Sequence, residues 1–320
     1  NLREDRGRQV LLELIAKSDI LLSNFKPGTL ESLGLDEATL RAANPKLIMA
    51  DSSAFGSSGP WSNRMGYGPL VRAEAGLTEL WRYPDDPESF SDALTVYPDH
   101  VAGRINAIGA LALLIRRART GLGGRISVSQ AEVMLSHLAV AIAAISLTRQ
   151  GIDVHDSRLD APRGVFRCAS DDEWCVIEVQ TRDERAGLCR ILGCAEDDGP
   201  EAIYDRLTTW CSFREPMAVA ESLQAAGIPA APMLRVLDMA DFAYFKERRF
   251  LRPLVHPALC EEYLTENAPV RSERLPDPPD RPAPLIGEHS REIALAFLDG
   301  DTAAVDNLAH ANVITIGKAA

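Results

Sequence analysis

Asp19-Ile-Leu-Leu-Ser23 is a short apolar run bounded by polar residues, and it leads directly into the turn chemistry of Asn24-Phe-Lys-Pro-Gly28. The run reads as a buried strand. Upstream, Val10, Leu11, Leu14 and Ile15 recur at helical spacing between Arg6 and Ala16. Downstream, Asp36 to Ala43 reads as a short helix and Lys46-Leu-Ile-Met-Ala50 as a second buried strand, followed by a Ser/Gly-rich loop from Ser52 to Ser62. Helix alternating with apolar strand predicts an α/β fold with a mainly parallel, Rossmann-like sheet. Ligands of such sheets bind beyond the carboxyl ends of the strands, which makes the 24–28 and 52–62 loops site candidates.

Farther along, His100 to Arg119 has the pattern of a long amphipathic helix ending in basic residues and Gly121. Gln130 to Leu147 reads as a second, more apolar helix, and both should pack on the sheet. The stretch Met134–Leu147 falls short of the ~20 residues of a membrane span and reads as a buried core helix. After Gly151 the character changes. Val165-Phe-Arg-Cys168 and Trp174-Cys-Val-Ile-Glu-Val179 predict a β-hairpin, with helices near Asp183–Leu192 and Pro216–Ala226. Prolines 276, 278, 279, 282 and 284 favour an extended spacer, and Glu288 to Leu298 reads as a terminal helix. The expected layout is a large domain over residues 1–160, completed by 276–320, and a smaller α+β domain over 161–275.

Composition agrees with about two domains, since 320 residues correspond to that number at ~100–200 residues each. With 46% hydrophobic and 25% charged residues, extensive disorder is excluded. A net charge of −12, with no Lys/Arg-rich block, argues against a nucleic-acid partner. The six cysteines form no C-x-x-C pair and have no His at zinc-ligand spacing, so no metal site is expected, and a reduced, cytoplasmic compartment is the simplest reading. The chain opens at Asn1, already in helical pattern and with no signal-peptide character, which reads as the middle of a gene product.

Asp99 lies in Tyr97-Pro-Asp-His100, directly before the long helix. Its side chain is positioned to cap that helix, whose partial positive end favours a carboxylate. The same position would let the carboxylate attack a thioester carbonyl, with backbone N–H groups stabilising the oxyanion. Position alone leaves cap and nucleophile both open.

Seven fragments then recur in one order: Ser23-Asn-Phe-Lys-Pro-Gly28, Leu33-Gly-Leu35, Asn44-Pro-Lys-Leu-Ile48, Ala54-Phe-Gly-Ser-Ser-Gly-Pro60, Gly66-Tyr67, Pro98-Asp99 and Arg119-Thr-Gly-Leu-Gly-Gly-Arg125. Arg163-Gly-Val-Phe-Arg-Cys168, Ala226-Gly-Ile-Pro229 and Leu285-Ile-Gly-Glu-His289 follow. Together they resemble the class III (CaiB/BaiF) CoA-transferase family over nearly the whole chain. The resemblance implies that Asp99 is the nucleophile: it attacks acyl-CoA to give a mixed anhydride, which CoA thiolate converts to an aspartyl-CoA thioester, and an acceptor acid then takes the CoA. It further implies that Asn24, Phe25 and Lys26 follow the CoA chain and that Met65 and Tyr67 touch its adenine or pantetheine. CoA or acyl-CoA would be a substrate, with no tightly bound cofactor. An interlocked homodimer is implied, with a small carboxylic acid as the second substrate and no membrane.

Read without the family, Asn24 is a turn residue, Tyr67 a packed loop aromatic and Lys26 a solvated cation. Gly121–Gly124 follows a helix and precedes Ile126-Ser-Val128, so a C-cap and turn is a better reading than a phosphate cradle. Glu288 and His289 match the family's C-terminal pattern, but a helix-start cap explains them equally well. Gly68 stands where many members carry an acidic residue, which leaves the acceptor open. Gln150 to Arg163 contains only Gly151, unlike the glycine-rich lid of the formyl-CoA branch. A racemase of the same fold needs two bases, and at the position of its His this chain has Tyr67, whose phenol has a pKa near ~10. The third alternative is an incomplete, non-catalytic chain, because the family's opening strand, helix and CoA-contacting Asn-x-x-Lys-Arg-Ser type segment would all precede Asn1.

Overall fold

The computed structural model describes residues 1–80, 82–83, 86–90, 96–154 and 161–317. Two units divide the chain, Asn1–Val154 with Pro284–Ala320, and His155–Ala283. The first contains α1 (Asp5–Ala16), β1 (Ile20–Ser23), α2 (Thr29–Ser32), α3 (Glu37–Ala43), β2 (Ile48–Ser53), α4 (Gly68–Glu74), α5 (Leu77–Leu80), β3 (Arg82–Tyr83), β4 (Asp86–Phe90), α6 (Tyr97–Thr120), β5 (Gly124–Ser129), α7 (Gln130–His137) and α8 (Ala139–Arg149).

A parallel sheet in the order β1-β2-β5 sets Ile20 opposite Ile48 and Ile48 opposite Gly124. The central strand is covered on both faces: Ile48, Met49 and Ala50 are all buried, which is why it reads as a continuous apolar run. Asn44 in the Asn-Pro-Lys-Leu-Ile fragment closes α1, its Nδ2 donating to Ile15 O at 3.0 Å and Ser18 O at 2.8 Å. The two bonds hold the turn after α1 against the start of β2. α6 lies on the sheet through Ala102, Asn106 and Ala110, one residue per turn on one face. It ends at Gly121, whose φ of 74° and N–H bond to Arg117 O make the expected left-handed C-cap.

The helix expected from Gln130 to Leu147 differs in two respects. It breaks at Leu138 into α7 and α8, bent by 67°. Only α7 is seated, burying Gln130, Val133 and Met134. α8 buries no residue, and Val140 is 84% exposed, so the expected buried core helix is corrected to an apolar helix lying open. At the break the Leu138 N–H bonds Leu135 O, a tight turn that leads the chain away from the sheet. Apolar content alone could not distinguish the two halves. Among the described residues no single helix is long and apolar enough to cross a membrane; α7 and α8 reach that measure only as a bent pair.

The second unit contains β6 (Arg163–Arg167), β7 (Trp174–Glu178), α9 (Arg182–Leu192), α10 (Pro200–Ser212), α11 (Pro216–Ala225), β8 (Ala230–Pro232), α12 (Ala243–Glu247), β9 (Leu251–Val255) and β10 (Glu262–Glu266). β6 and β7 form the expected hairpin, β8 adds an antiparallel third strand, and β9 pairs with β10. α9 starts in a capping box between Thr181 and Glu184. The Ala226-Gly-Ile-Pro229 fragment acts as a helix stop, with Gly227 at φ 77° and buried Ile228 donating back to Leu223 O. The proline-rich segment is tied down by Arg252, whose Nη1 donates to Pro278 O and Asp280 Oδ1, and by further bonds of Arg271 to Asp277 and of the His256 ring to Ala283 O. Of the stretch from Gln150 to Arg163, residues 155–160 lie outside the described residues.

The chain returns to the first unit with α13 (Ser290–Phe297) and α14 (Thr302–His310), which cluster with Val10 of α1 through Ala294, Val305 and Leu308. Glu288 is not a helix cap: its Oε2 accepts from Leu285 N at 2.7 Å, within the loop before α13.

Candidate active site

Three strand ends and one helix start converge in the first unit. β1 ends at Ser23-Asn24, β2 carries Ser52 near its carboxyl end, and β5 runs straight into Gln130 of α7. Asp99 comes from the first turn of α6. Together these residues line a cavity of about 520 Å³ whose remaining walls include Ile20, Leu22, Ala107, Ala110 and Leu111. Among the described lining residues Asp99 alone is titratable.

Asp99 is not the N-cap that its place before the helix suggested. Pro98 fits the first turn of a helix, having no N–H to leave unpaired there, so α6 starts earlier, at Tyr97. Val96 takes the cap position without a side-chain bond, and Asp99 sits one position past Pro98 with its N–H bonded to Val96 O at 3.0 Å. Its carboxylate is therefore not consumed by capping. Oδ1 accepts a hydrogen bond from Gln130 Nε2 at 2.8 Å. Oδ2 faces Gly68, where a Cβ would collide with it. The absence of a side chain at Gly68 thus makes room for the carboxylate.

Asn106 lies seven residues beyond Asp99, two turns along the same helix, and is 7% exposed. Its Nδ2 donates to Ala50 O at 3.3 Å, while Oδ1 is buried without a partner in the cavity wall. Neither Asn106 nor Gln130 was singled out in the sequence. Gln130 directly follows β5, so the rule that ligands lie beyond strand carboxyl ends reaches it as it does the loops after β1 and β2.

The other expected contacts separate. Asn24 lines the main cavity, whereas Phe25 and Lys26 line a neighbouring hollow of about 40 Å³ beside Gly28, Ser57 and Arg125. Arg125 is engaged there by Asp51 at 2.8 Å and Glu37 at 3.2 Å. Glu37 is held below the usual carboxylate range by hydrogen bonding from Arg41, with Arg125 adding to the effect. Met65 and Tyr67 line neither space and are exposed; Tyr67 precedes Gly68 as the cap residue of α4, one residue from the wall under Asp99.

The buried thiols lie in the second unit. Burial pushes Cys175 up to about 11 and Cys211 up to about 12, which keeps them protonated and unreactive near neutrality. Among the described residues no group of three or more His, Cys, Asp or Glu is placed to hold a metal ion.

The sequence model of CoA-transferase family III matches residues 1–290. The chain belongs to that family. Family III enzymes transfer CoA through an aspartyl covalent intermediate, with CoA and acyl-CoA as substrates. The Probable CoA-transferase Rv1866 of Mycobacterium tuberculosis is 40% identical over 318 residues, covering 93% of this chain and 40% of that protein. The beta subunit of succinyl-CoA–L-malate CoA-transferase from Chloroflexus aurantiacus is 28% identical, over 93% of this chain and 77% of its own length. A CaiB/BaiF family protein from Brucella suis shares the fold at a TM-score of 0.75 and 26% identity, over 93% of this chain and 80% of that one. This family III chain therefore spans less than half the length of the mycobacterial relative.

Proposed function

We propose that the protein moves CoA from an acyl-CoA to a small carboxylic acid, with Asp99 as the nucleophile. The observation that carries this reading is the setting of Asp99: a carboxylate free of capping, with one oxygen tied by Gln130, at the wall of a cavity in which it is the sole titratable described residue. A racemase would need a second base facing the same substrate carbon, and the described lining residues offer none.

In this reading Asp99 attacks the thioester carbonyl, the C–S bond breaks, and CoA leaves as thiolate with the electron pair. The acyl group is held as an anhydride until the thiolate returns. Apolar walls from Ile20, Leu22, Ala107 and Leu111 suit an acyl or pantetheine chain. Asn24 faces that chain, while Phe25 and Lys26 guide the more distant part of CoA through the smaller hollow. Met65 and Tyr67, exposed at the start of α4, are the remaining CoA contacts of this reading. The protein acts in the cytoplasm as an interlocked homodimer, and the open apolar row on α8 supports a second copy of the chain as its partner.

The test is mass spectrometry of the Asp99 peptide after incubation with acetyl-CoA or succinyl-CoA. An acyl-sized or CoA-sized adduct, absent from Asp99→Asn, is expected. A folded chain that gains no adduct from either donor overturns the reading.

A further inference from the structure

We propose that Gln130 is a catalytic residue: the oxyanion donor for the steps that occur at the carboxyl carbon of Asp99 itself. The inference rests on Asp99 being the nucleophile. Its physical basis is the inequivalence of the two carboxylate oxygens. Oδ1 is bound by Gln130 Nε2 at 2.8 Å, whereas Oδ2 rests against Gly68, in the space a Cβ would fill, and carries no such bond. A carboxylate can only accept hydrogen bonds, so the chemistry fixes which end of the Gln130 amide points at it. Oδ2 carries no hydrogen bond to a described residue and is the oxygen left to attack.

The balance of bonds then assigns Oδ1 its role. Oδ2 bonds to the acyl carbon, the acyl C–S bond breaks and CoA thiolate departs, leaving Cγ=Oδ1 as the carbonyl of a mixed anhydride. The thiolate next attacks Cγ, and Oδ1 takes up the negative charge of the tetrahedral adduct. When that adduct collapses, the Cγ–Oδ2 bond breaks and the acid leaves with Oδ2, giving the aspartyl thioester. Attack of the acceptor carboxylate on the thioester charges Oδ1 a second time, with thiolate as the leaving group. In both adducts the developing charge lies on the atom Gln130 already touches, so the bond strengthens where the barrier is highest.

Gln130 is built for a fixed dipole. It is only 7% exposed and begins α7 directly after β5, where Ser129 pairs with Ser53 of β2 and its hydroxyl caps Glu132 N at 3.3 Å. The donor is thus held by the sheet on one side and a capped helix on the other, which limits reorganisation during reaction.

The experiment compares wild type, Gln130→Met, Gln130→Leu and Asp99→Asn, using succinyl-CoA and acetyl-CoA as donors and L-malate and acetate as acceptors, with quenched samples of the Asp99 peptide weighed over time. Loss of one oxyanion donor is worth roughly 10²–10³ in kcat. The expected result for Gln130→Met is a fall of about that size, a KM for acyl-CoA changed less than about threefold, and an acyl-sized adduct accumulating where wild type holds a CoA-sized one. Gln130→Leu also removes the donor without adding a charge, so it answers the same question if the Met variant does not fold. Wild-type adducts with unchanged turnover and adduct mass in the variants would overturn the role of Gln130 and leave Asp99 standing. No adduct on wild-type Asp99 would overturn both.

Discussion

In the second unit one cluster runs from Phe166 through Ile177, Leu188 and Leu207 to Ile228, whereas the first unit spreads its buried apolar side chains over four smaller clusters; both leave large apolar side chains open, Phe213 and Leu237 in the second and Ile108, Leu111, Val140 and Ile145 in the first. The contrast separates two uses of apolar surface. Where it is buried within the unit it supplies stability in proportion to area. Where it lines the Asp99 cavity or lies open on α8, it is available to a ligand or another chain.

The largest effect that could break this contrast is a core truncation. Phe166→Ala should destabilise the second unit by about 3–5 kcal/mol, the usual cost of removing a large buried ring. Leu111→Ala, at a side chain already more than half exposed, should cost less than about 1 kcal/mol. Urea unfolding of both variants measures the difference, and equal costs would mean that the first unit closes its core as the second does.

Next in size is Gly68→Ala, which tests whether the first unit gives up packing for chemistry. The new Cβ would meet Asp99 Oδ2 and come within 3.1 Å of Val96 Cα, so the carboxylate has to move. A misplacement of that order should lower the rate of adduct formation by about 10²-fold. Stability should fall by about 1–3 kcal/mol, because Gly68 is buried and the Cβ also crowds the Val96 backbone, although no left-handed φ is violated. A variant with wild-type adduct kinetics would show that Asp99 does not need the space.

The same contrast governs what the sequence revealed. Local signals were legible: the parallel strand pair around Ser23 and Asp51, the Gly121 stop, the β6–β7 hairpin and α9 all follow from spacing and turn chemistry. α10 and α14 carry start signals that the reading passes over, Pro200 in the first turn and the Asp301 cap, whereas the β9–β10 pair has no tight-turn dipeptide to mark it. Asp99 was legible by resemblance, but its escape from capping was not, because that depends on Pro98 moving the helix start. Gln130 and Asn106 were hidden for another reason. Their roles arise only when β5 and α6 are brought to one cavity, a contact across 31 positions in the case of Gln130 and Asp99.

A smaller effect comes from the thiols of the second unit. Burial raises the folded-state values of Cys175 to about 11 and Cys211 to about 12. The unfolded chain loses these protons from about pH 8.5–9 upward. Folding therefore retains protons that the unfolded state has released, and the contribution present below that pH declines as pH rises toward 11–12. Iodoacetamide should label exposed Cys260 at pH 8.5 while sparing Cys175 and Cys211, and the protection should fade with increasing alkalinity. Early labelling of Cys211 would contradict a closed core.

The smallest effect on the isolated chain, and the sharpest test of the contrast, is expected on α8. Val140 is 84% exposed and Ile145 about half, so Val140→Ser with Ile145→Ser removes little buried area and should shift the unfolding free energy by no more than about 0.5 kcal/mol per site. If that face is covered by a second copy of the chain, the same pair removes apolar area from an interface, and self-association should weaken at least tenfold. Sedimentation at several concentrations separates the two quantities. A double variant that loses monomer stability would show α8 to be seated on its own unit after all, whereas one that keeps both stability and self-association would leave the open row without a partner and move the interface elsewhere on the first unit. Weakened association with an unchanged monomer would establish that the apolar surface withheld from the first unit's core serves the assembly.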